Sequence, residues 1–368
     1  MATRRAAAAA CRRLLSSSSA AAAGTAAYPR LLGHFHHPGM TKDAAGIMYP
    51  TRTEPGVRFE PLAASSPRLS LEFLPVDVSF GFSLADSYLG LILLRQATLT
   101  LDGAPCFLVC DPVSRRHSLL PPLPATAASD NGAFFAPAIL SRAAGRRFEF
   151  DAVCVTVDAE RPRAWVASLR DNGCSWRALP RCGEVKIEFD PFWLEQRCVH
   201  AAGSIYWHIC GCQFALALDA ATMAFSLMRV PDFIWEDLGH PKYRVGEAPD
   251  GRLCVATVEH KALRLAVRAL RGTGSQDGWV LEREMCLRNV LDAVPGLPEH
   301  PLRVSHFSYW ISDIDPGRTG RVFIRTLGCG RFSCHMDTGK LDPLLTDDGM
   351  EYGDPILAYF AAPTGGSD

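Results

Sequence analysis

The sequence predicts an all-β protein: a propeller of about six blades that follows a disordered or short helical N-terminus. From residue 70 onward, short apolar segments recur between Gly, Asp, Asn and Pro residues. Segments of this length, rich in Val, Ile, Leu, Phe, Trp and Cys, are typical of strands, and most are too short for helices. Because the segments recur in one order, they predict a repeated structural unit.

Each repeat joins two apolar strands through a loop. The five predicted pairs are Asp86–Arg95 with Cys106–Asp111, Phe150–Val157 with Ala164–Leu169, Gly203–Cys210 with Phe214–Asp219, Asp250–Val258 with Leu263–Leu270, and Gly320–Thr326 with Arg331–Asp337. A four-stranded propeller blade takes about 40 to 50 residues. The wider spacings predict long loops over 125–145 and 289–306, with a short helical turn at Asn289–Ala293 as the main helical candidate.

A third strand follows a turn that contains Asp or Asn, and it often runs into proline. The predicted third strands are His117–Pro124, Ser175–Pro180, Ala224–Pro231 and a strand beginning at Leu341. Asp, Asn and Gly suit hairpins because they tolerate the positive φ of tight turns. Proline cannot donate to a strand ladder, so it marks where a strand ends.

Closure of the ring requires one further blade beyond the five repeats. Residues 68–74 and 355–361 could supply its strands, which gives six blades, with five or seven as alternatives. A blade cannot bury both faces alone, so several must stack around an axis. A β-sandwich or a pair of small barrels is the rival fold, because regular short strands also fit those architectures.

Composition favours a globular protein without nucleic-acid or membrane partners. Hydrophobic residues make up 48% and charged residues 21% of the 368 residues, and the net charge is −1. Nucleic-acid binding needs a concentrated basic surface, and no apolar run approaches the roughly 18 residues of a membrane span. The 13 cysteines lie in apolar segments. We interpret most of them as buried hydrophobic residues in a reducing compartment.

The chain divides into three predicted regions. Residues 1–27 are rich in Ala, Arg and Ser, residues 28–68 form an entry segment and linker with an edge strand at 56–62, and residues 69–362 form the propeller. An N-terminus rich in Arg, Ala and Ser and without acidic residues is also typical of an organelle transit peptide. The first region is therefore either such a peptide or the remnant of a helical domain.

No strong catalytic or cofactor motif is present. The sequence contains no phosphate-binding P-loop, no H-E-x-x-H helix and no G-x-S-x-G elbow, so we predict no catalytic residues and no cofactor. The glycine-rich segment Gly272–Gly278 is interpreted as a hairpin tip. Asp313 and Asp315 resemble a carboxylate pair, but their loop-like context ending in Pro-Gly is ordinary turn composition.

Three groups of potential metal ligands are interpreted as structural, so we predict no metal. The groups are His208 with Cys210 and Cys212, Cys329 with Cys334 and His335, and the segment His34–His37. A structural zinc site needs four converging ligands, usually with a C-x₂₋₄-C knuckle. The first two groups are expected in the core, and the histidine segment is expected at the surface or at a sheet edge.

Aromatic residues supply the only predicted binding site. Trp193, Trp207, Phe233 and Trp235 lie in or beside predicted blade edges, where packing in the core between blades is the first expectation for all four. Phe233 and Trp235 also lie in a predicted loop between strands. Large aromatic side chains exposed on a loop suit a protein-binding hot spot. Phe233 and Trp235 are therefore the candidate partner-binding residues.

Several motifs together resemble the plant F-box-associated β-propeller family. They are Tyr28–Pro38 (YPRLLGHFHHP), Asp86–Leu94 (DSYLGLILL), Val109–Arg116 (VCDPVSRR), Leu119–Pro124 (LLPPLP) and Gly203–Trp207 (GSIYW). Their shared order, rather than any one motif, carries the resemblance. It covers roughly residues 28–361.

The resemblance implies a non-catalytic substrate receptor of a cullin-based ubiquitin ligase. In that family an N-terminal F-box docks an adaptor, and the propeller captures a protein. Here only Ala6–Ser17 resembles the last F-box helix, and its tryptophan is missing, so adaptor docking lacks its usual basis. The runners-up are a propeller adaptor unconnected to ubiquitination and a propeller enzyme with a site in the central channel. The expected location is the cytoplasm or nucleus, or a mitochondrion or plastid if residues 1–27 are a transit peptide.

Overall fold

The computed structural model shows a protein built almost entirely of strands. It describes residues 30–38, 40–42, 48–50, 56–75, 81–96, 105–124, 135–143, 147–158, 160–171, 173–188, 194–209, 212–231, 243–248, 250–259, 262–268, 278–294, 309–315, 321–326, 330–346 and 349–362. Within these residues the single helix is α1, Leu287–Asp292, which overlaps the short helical turn predicted at 289–293. No helix of this described part is long and apolar enough to cross a membrane.

The N-terminal strands come first in the chain and contribute to two sheets. They are β1 (Leu31–Pro38), β2 (Met40–Lys42), β3 (Met48–Pro50) and β4 (Arg58–Pro61). β2 and β3 pair with each other, whereas β1 pairs with β4. The edge strand predicted at 56–62 is thereby confirmed as β4.

Five four-stranded antiparallel sheets follow, and each is one blade. Blade 1 contains β5 (Phe82–Tyr88), β6 (Leu91–Gln96), β7 (Phe107–Asp111) and β8 (Arg116–Leu119); blade 2 contains β9 (Ala136–Arg142), β10 (Phe150–Asp158), β11 (Arg161–Arg170) and β12 (Gly173–Ala178); blade 3 contains β13 (Leu194–Ala201), β14 (Ser204–Ile209), β15 (Phe214–Asp219) and β16 (Phe225–Arg229); blade 4 contains β17 (Tyr243–Glu247), β18 (Leu253–Glu259), β19 (Ala262–Arg268) and β20 (Trp279–Cys286); blade 5 contains β21 (Tyr309–Asp315), β22 (Arg321–Thr326), β23 (Gly330–His335) and β24 (Leu341–Pro343).

The sixth blade closes the ring by joining the two ends of the chain. The C-terminal strand β25 (Tyr352–Phe360) pairs with β1, giving the sheet order β25-β1-β4. We call this three-stranded sheet the closing blade. The strand predicted at 355–361 is confirmed as part of β25, and the six-blade propeller is confirmed with it.

The start of the ring differs from the prediction. The ring begins at Leu31 rather than at residue 69, because β1 and β4 supply two strands of the closing blade. Residues 68–74, predicted as a strand of that blade, have no strand structure. Their Leu71 and Leu74 are nevertheless buried in the hydrophobic cluster that contains Phe35 of β1 and Tyr359 of β25.

Six hydrophobic clusters fill the spaces between neighbouring blades in the described residues. The apolar run of β6 shows how one strand serves two of them. Leu91 and Leu93 pack toward blade 2, whereas Ile92 and Leu94 pack toward the closing blade. Side chains of a strand alternate between its two faces, so a strand buried on both faces is apolar at every position.

The innermost strands were largely missed by the sequence interpretation. Asp86–Arg95, predicted as one strand, is a hairpin: β5 and β6 turn at Leu89 and Gly90, which have φ of 52° and 73°. The inner strand β9 lies within the long loop predicted at 125–145, and the inner strand β21 begins just after the long loop predicted at 289–306. β21 carries Ser312, Asp313 and Asp315, so its apolar signal is weak.

Candidate functional site in the central channel

The inner strands of the six blades line the axis of the ring. They are β5, β9, β13, β17, β21 and β25; neighbouring members pack against each other, and β5 also contacts β13. Polar side chains of these strands meet across the axis. The contacts include His200 with Asp86, Arg197 with Asp313 and Arg244 with Glu195.

Irregularities in strand register precede Asp86, His200 and Asp313. The pairing of the inner strand with its neighbour shifts between Leu84 and Asp86 in β5 and between Ile311 and Asp313 in β21. In β13 it shifts between Leu194 and Cys198. A β-bulge bends its strand and redirects a side chain, and bulges are frequent beside functional sites. The three shifts are consistent with polar side chains of these strands being redirected toward the axis.

Asp86 anchors the first of two polar groups. Its Oδ1 accepts a hydrogen bond from the backbone N–H of Ser87 at 2.8 Å, and its Oδ2 accepts one from that of Ile139 at 2.7 Å. His200 Nε2 lies 2.9 Å from the same Oδ2. The imidazole of His200 also stacks on Tyr88, with ring centroids 3.8 Å apart and planes 1° from parallel. Both the carboxylate and the imidazole are therefore held in one orientation.

Cys198 completes this group. Its Sγ lies 3.9 Å from His200 Nε2, and the side chain is buried. Burial, reinforced by the neighbouring Asp86 carboxylate, raises the pKa of the Cys198 thiol well above its usual range. Asp86, Cys198 and His200 line a cavity of about 60 Å³, together with Ser87, Glu247 and Phe323 among others.

The geometry of this group does not form a nucleophile relay. A Cys-His-Asp relay needs the thiol at one imidazole nitrogen and the carboxylate at the other. Here Cys198 and Asp86 both approach Nε2 of His200. The raised thiol pKa also disfavours the thiolate that would be the nucleophile. The same convergence on one point is what metal coordination requires.

The second polar group joins blades 3, 4 and 5. Arg197 Nη2 lies 2.7 Å from Asp313 Oδ1, and Arg244 Nη1 lies 2.8 Å from Glu195 Oε1. Burial opposes charge on Arg197, Asp313 and Glu195. Asp313 and Glu195 nevertheless raise the pKa of Arg197, and burial raises the pKa of Asp313. Burial would raise the pKa of Glu195 as well, but the charges of Arg244 and Arg197 lower it.

His208 is held neutral next to this group. Burial, and then the Arg244 charge, lowers the pKa of His208 to about 3. The backbone N–H of Val245 donates to its Nε2 at 2.9 Å, which requires that nitrogen to be unprotonated. The nearest oxygen of Glu195 is 3.9 Å from Nδ1, too far for a hydrogen bond. His208 therefore acts as a structural hydrogen-bond acceptor between blades 3 and 4.

The predicted binding residues Phe233 and Trp235 lie outside the described residues, as do Trp193, Cys210 and Cys329. Of the predicted core aromatics, Trp207 is fully buried. Cys334 is buried in the cluster between blades 4 and 5, and His335 follows it on the same strand. Consecutive strand residues point to opposite faces, so these two do not converge on a metal.

The prediction that His34–His37 lies at the surface or at a sheet edge is wrong. β1 is the central strand of the closing blade, and His34 and His36 are buried. His36 stacks on Tyr352 at 4.1 Å, and His34 contacts the edge of Phe323 at 5.3 Å. The N–H of Leu84 in blade 1 donates to His37 Nε2 at 3.2 Å. The segment therefore belongs to the joints of the closing blade with both neighbours.

Asp313 and Asp315 lie on β21 rather than in a loop. The sequence interpretation missed Asp86, Glu195, Arg197, Cys198, His200 and Arg244 as site residues. Charged residues at alternate positions, as in Glu195-Gln-Arg197, were the available signal. A strand with charges on one face and apolar residues on the other indicates a channel lining as readily as a solvent face.

The closed ring with a polar channel defines the class: the chain is a β-propeller. A family model described as "F-box protein AT5G49610-like, beta-propeller" matches residues 87–301. This match spans more than half of the chain, so the chain belongs to that family. No curated protein sequence matches this chain.

Solved structures with similar folds share little sequence with the chain. A protein of unknown function from Bacteroides caccae is 8% identical with a TM-score of 0.40, and a putative 6-phosphogluconolactonase from Bacteroides uniformis is 10% identical with a TM-score of 0.41. Apo AztD from Citrobacter koseri is 10% identical with a TM-score of 0.38. Each alignment covers 89% of this chain, and 99%, 99% and 98% of those chains in turn. At these TM-scores they carry no argument about function.

Proposed function

We propose that this chain is a non-catalytic propeller that captures a partner protein. The observation that carries the proposal is membership of a family of F-box protein propellers, established by the match over residues 87–301. Propellers present loops on a rigid ring, and loops on a rigid scaffold are common binding surfaces.

The lengths of the connections indicate which end of the ring binds. Connections from the outer strand of one blade to the inner strand of the next span residues 62–81, 120–135, 179–193, 230–242, 287–308 and 344–351. We call the end of the ring at which the outer strands of blades 1 to 5 end and the inner strands begin the long-loop face. Turns at the opposite end are mostly shorter, such as 89–90 and 202–203, and the longest of them spans residues 269–278. Long loops in compact domains are commonly functional, which supports the long-loop face as the binding face.

The charges of the channel support a non-catalytic role. The carboxylates Asp86, Glu195 and Asp313 each have a cationic or imidazole partner at 2.7 to 2.9 Å. Glu247 accepts a hydrogen bond from the backbone N–H of Ala202 at 2.7 Å. Catalytic carboxylates are commonly poised by burial without full neutralisation. Paired charges that join blades fit a structural role better.

The link to ubiquitination is a finer part of the proposal. The family description names F-box proteins, and the resemblance of the sequence motifs points to the same proteins. On this proposal, the captured protein is passed to a cullin-based ligase in the cytoplasm or nucleus. Buried cysteines of the described residues, such as Cys110, Cys154 and Cys334, are free thiols, which suits a reducing compartment.

A comparison of two variants in affinity purification tests the proposal. Phe233 and Trp235 lie in the connection 230–242 of the long-loop face, whereas Val113 lies in the turn between β7 and β8 at the opposite end. Val113 is 60% exposed, which makes Val113→Ala a matched apolar control. The full chain and both variants are used as bait in native tissue extract, and bound proteins are measured by mass spectrometry.

We expect a defined partner to bind the full chain and Val113→Ala equally, and to be lost with Phe233→Ala/Trp235→Ala. Equal binding to all three proteins would contradict the assignment of the face. Co-purification of an adaptor and a cullin would support the link to ubiquitination. A partner without adaptor or cullin would instead identify an adaptor protein outside that pathway. Thermal denaturation of each variant separates lost binding from lost folding.

A further inference from the structure

We propose that Asp86, Cys198 and His200 form a binding site for one Zn²⁺ ion in the central channel. The three residues come from two blades that are not neighbours in sequence: Asp86 from β5 of blade 1, and Cys198 and His200 from β13 of blade 3. One potential ligand atom of each residue lies within 4.8 Å of those of the other two. Among the described residues, no other group of three such side chains converges in this way.

The distances between the ligand atoms are close to those of a tetrahedral zinc site. Zn–N, Zn–O and Zn–S bonds of about 2.0, 2.1 and 2.3 Å place neighbouring ligand atoms about 3.3 to 3.6 Å apart. His200 Nε2 lies 2.9 Å from Asp86 Oδ2 and 3.9 Å from Cys198 Sγ. Movements of a few tenths of an ångström would accommodate the ion. Zinc would replace the proton that lies between His200 and Asp86.

Proton balance on binding is simple. The Cys198 thiol releases its proton to the solvent when sulfur bonds the ion, because thiolate is the ligating form. His200 binds through the lone pair of Nε2: a neutral imidazole moves its Nε2 proton to Nδ1, and an imidazolium releases that proton to the solvent. No oxidation or reduction is involved.

Neighbouring groups hold two of the ligands in place before the ion binds. Backbone N–H groups of Ser87 and Ile139 fix the Asp86 carboxylate, and the Tyr88 ring fixes the plane of the His200 imidazole. Partners of this kind orient metal ligands and commonly raise metal affinity. The inner strand of blade 2, which carries Ile139, thus supports a site whose ligands come from blades 1 and 3.

The ligand chemistry selects zinc over the hard divalent ions. Imidazole and thiolate favour Zn²⁺, whereas Mg²⁺ and Ca²⁺ favour sites built wholly of oxygen. The cavity of about 60 Å³ beside the three ligands has room for water at the fourth position. An ion there would link blade 1 to blade 3 across the axis, so it would stabilise the ring by binding only the folded state.

Metal titration of the full chain tests the site. The chain is stripped with a chelator and titrated with Zn²⁺ against a chromophoric competitor, and with Co²⁺ as a spectroscopic substitute. We expect one ion per chain, a sulfur-to-cobalt charge-transfer band and a raised melting temperature with zinc. The Cys198→Ser variant should lose the band, and His200→Gln should weaken zinc binding about tenfold or more.

Two variants outside the group are matched controls. Cys212→Ser removes a partly buried thiol elsewhere in blade 3, and His335→Gln removes a partly buried imidazole of blade 5. Both should bind zinc like the unchanged chain. Binding of zinc by the Cys198→Ser/His200→Gln double variant at unchanged affinity would overturn the proposal, as would no binding to the unchanged chain.

X-ray absorption at the zinc edge needs no variant and decides the matter if a variant does not fold. One sulfur ligand together with nitrogen or oxygen ligands supports the site. Two or more sulfur ligands, or oxygen ligands alone, would overturn it. Partner capture through Phe233 and Trp235 is independent of this result, since those residues lie outside the channel strands.

Discussion

The inner strand of a blade and the strand beside it carry different kinds of residue. In blade 3, β13 contributes Glu195, Arg197 and His200 to the channel, whereas β14 contributes Ile205 and Trp207 to the core. Middle strands have blades on both sides and are buried on both faces. Inner strands meet each other at a narrow axis, where paired charges and a bulged backbone are tolerated. Stability is thus concentrated in the middle strands and polar chemistry in the inner ones.

Truncation of a middle-strand side chain should give the largest loss of stability. Trp207 is fully buried in the hydrophobic cluster between blades 2 and 3. Trp207→Ala should lower the free energy of unfolding by about 4 kcal/mol, because it removes buried apolar surface and leaves a cavity. Urea denaturation measures the loss, and Trp207→Phe should cost less. A loss below about 1 kcal/mol would contradict the conclusion that the middle strands carry most of the stability.

Breaking an inner-strand ion pair should cost somewhat less, and the cost should be recoverable. Arg197→Met leaves the buried Asp313 carboxylate without its 2.7 Å partner and should cost about 3 kcal/mol. Replacing both residues, as Arg197→Met/Asp313→Leu, should restore most of that stability, because no buried charge remains unpaired. Denaturation of the two single variants and the double variant forms a thermodynamic cycle. Additive losses would show that the pair is not coupled.

The closing blade should respond to acid through its buried histidines. Burial lowers the pKa of both His34 and His36 to about 4 from an ordinary value of 6.5. Between pH 6.5 and pH 4 the unfolded chain therefore binds more protons than the folded chain. The contribution of these two histidines to the free energy of unfolding should be fully present above pH 6.5 and should fall as the pH drops toward 4. The loss should be up to about 3 kcal/mol for each histidine. His34→Leu/His36→Phe should flatten the pH dependence of unfolding over this range. An unchanged slope would show that these imidazoles remain accessible to protons.

An ion pair between the outer strands should have the smallest effect. Arg264 of β19 and Glu284 of β20 are 2.7 Å apart, with side chains 27% and 49% exposed. Because solvent screens such pairs, Arg264→Ala should cost no more than about 1 kcal/mol. Thermal denaturation at low and high salt measures the cost. A loss as large as that of Arg197→Met would mean that burial does not explain the difference between inner and outer pairs.

Much of the ring was predictable because its middle strands have a strong apolar signal. The repeats beginning at 150 and 203 coincide with β10 and β14, and five of the six blades were located in this way. The prediction failed at β9 and β21, whose positions were assigned to long loops or to a Pro-Gly turn. Cys286 is an exception to the expected burial of most cysteines, since it is exposed at the end of β20. An edge position and a core position can have the same local sequence.

The candidate site was less predictable than the fold. Asp86 was assigned to the start of a strand after a turn, and it is a buried carboxylate whose partner His200 lies far along the chain. Neither Cys198 nor His200 belongs to a recognisable metal motif, since their ligand partner is on another blade. Contacts between distant segments are set by ring closure, and no local spacing encodes them.

The amino-acid sequence by itself determined the strands, their repetition and the tendency of the blades to stack, because side-chain alternation and turn residues act over a few neighbouring positions. Only the tertiary structure decided that β1 and β25 share a blade, and that Asp86 meets Cys198 and His200 at the axis. Those arrangements depend on the closed ring, which brings together inner strands that are far apart in the chain.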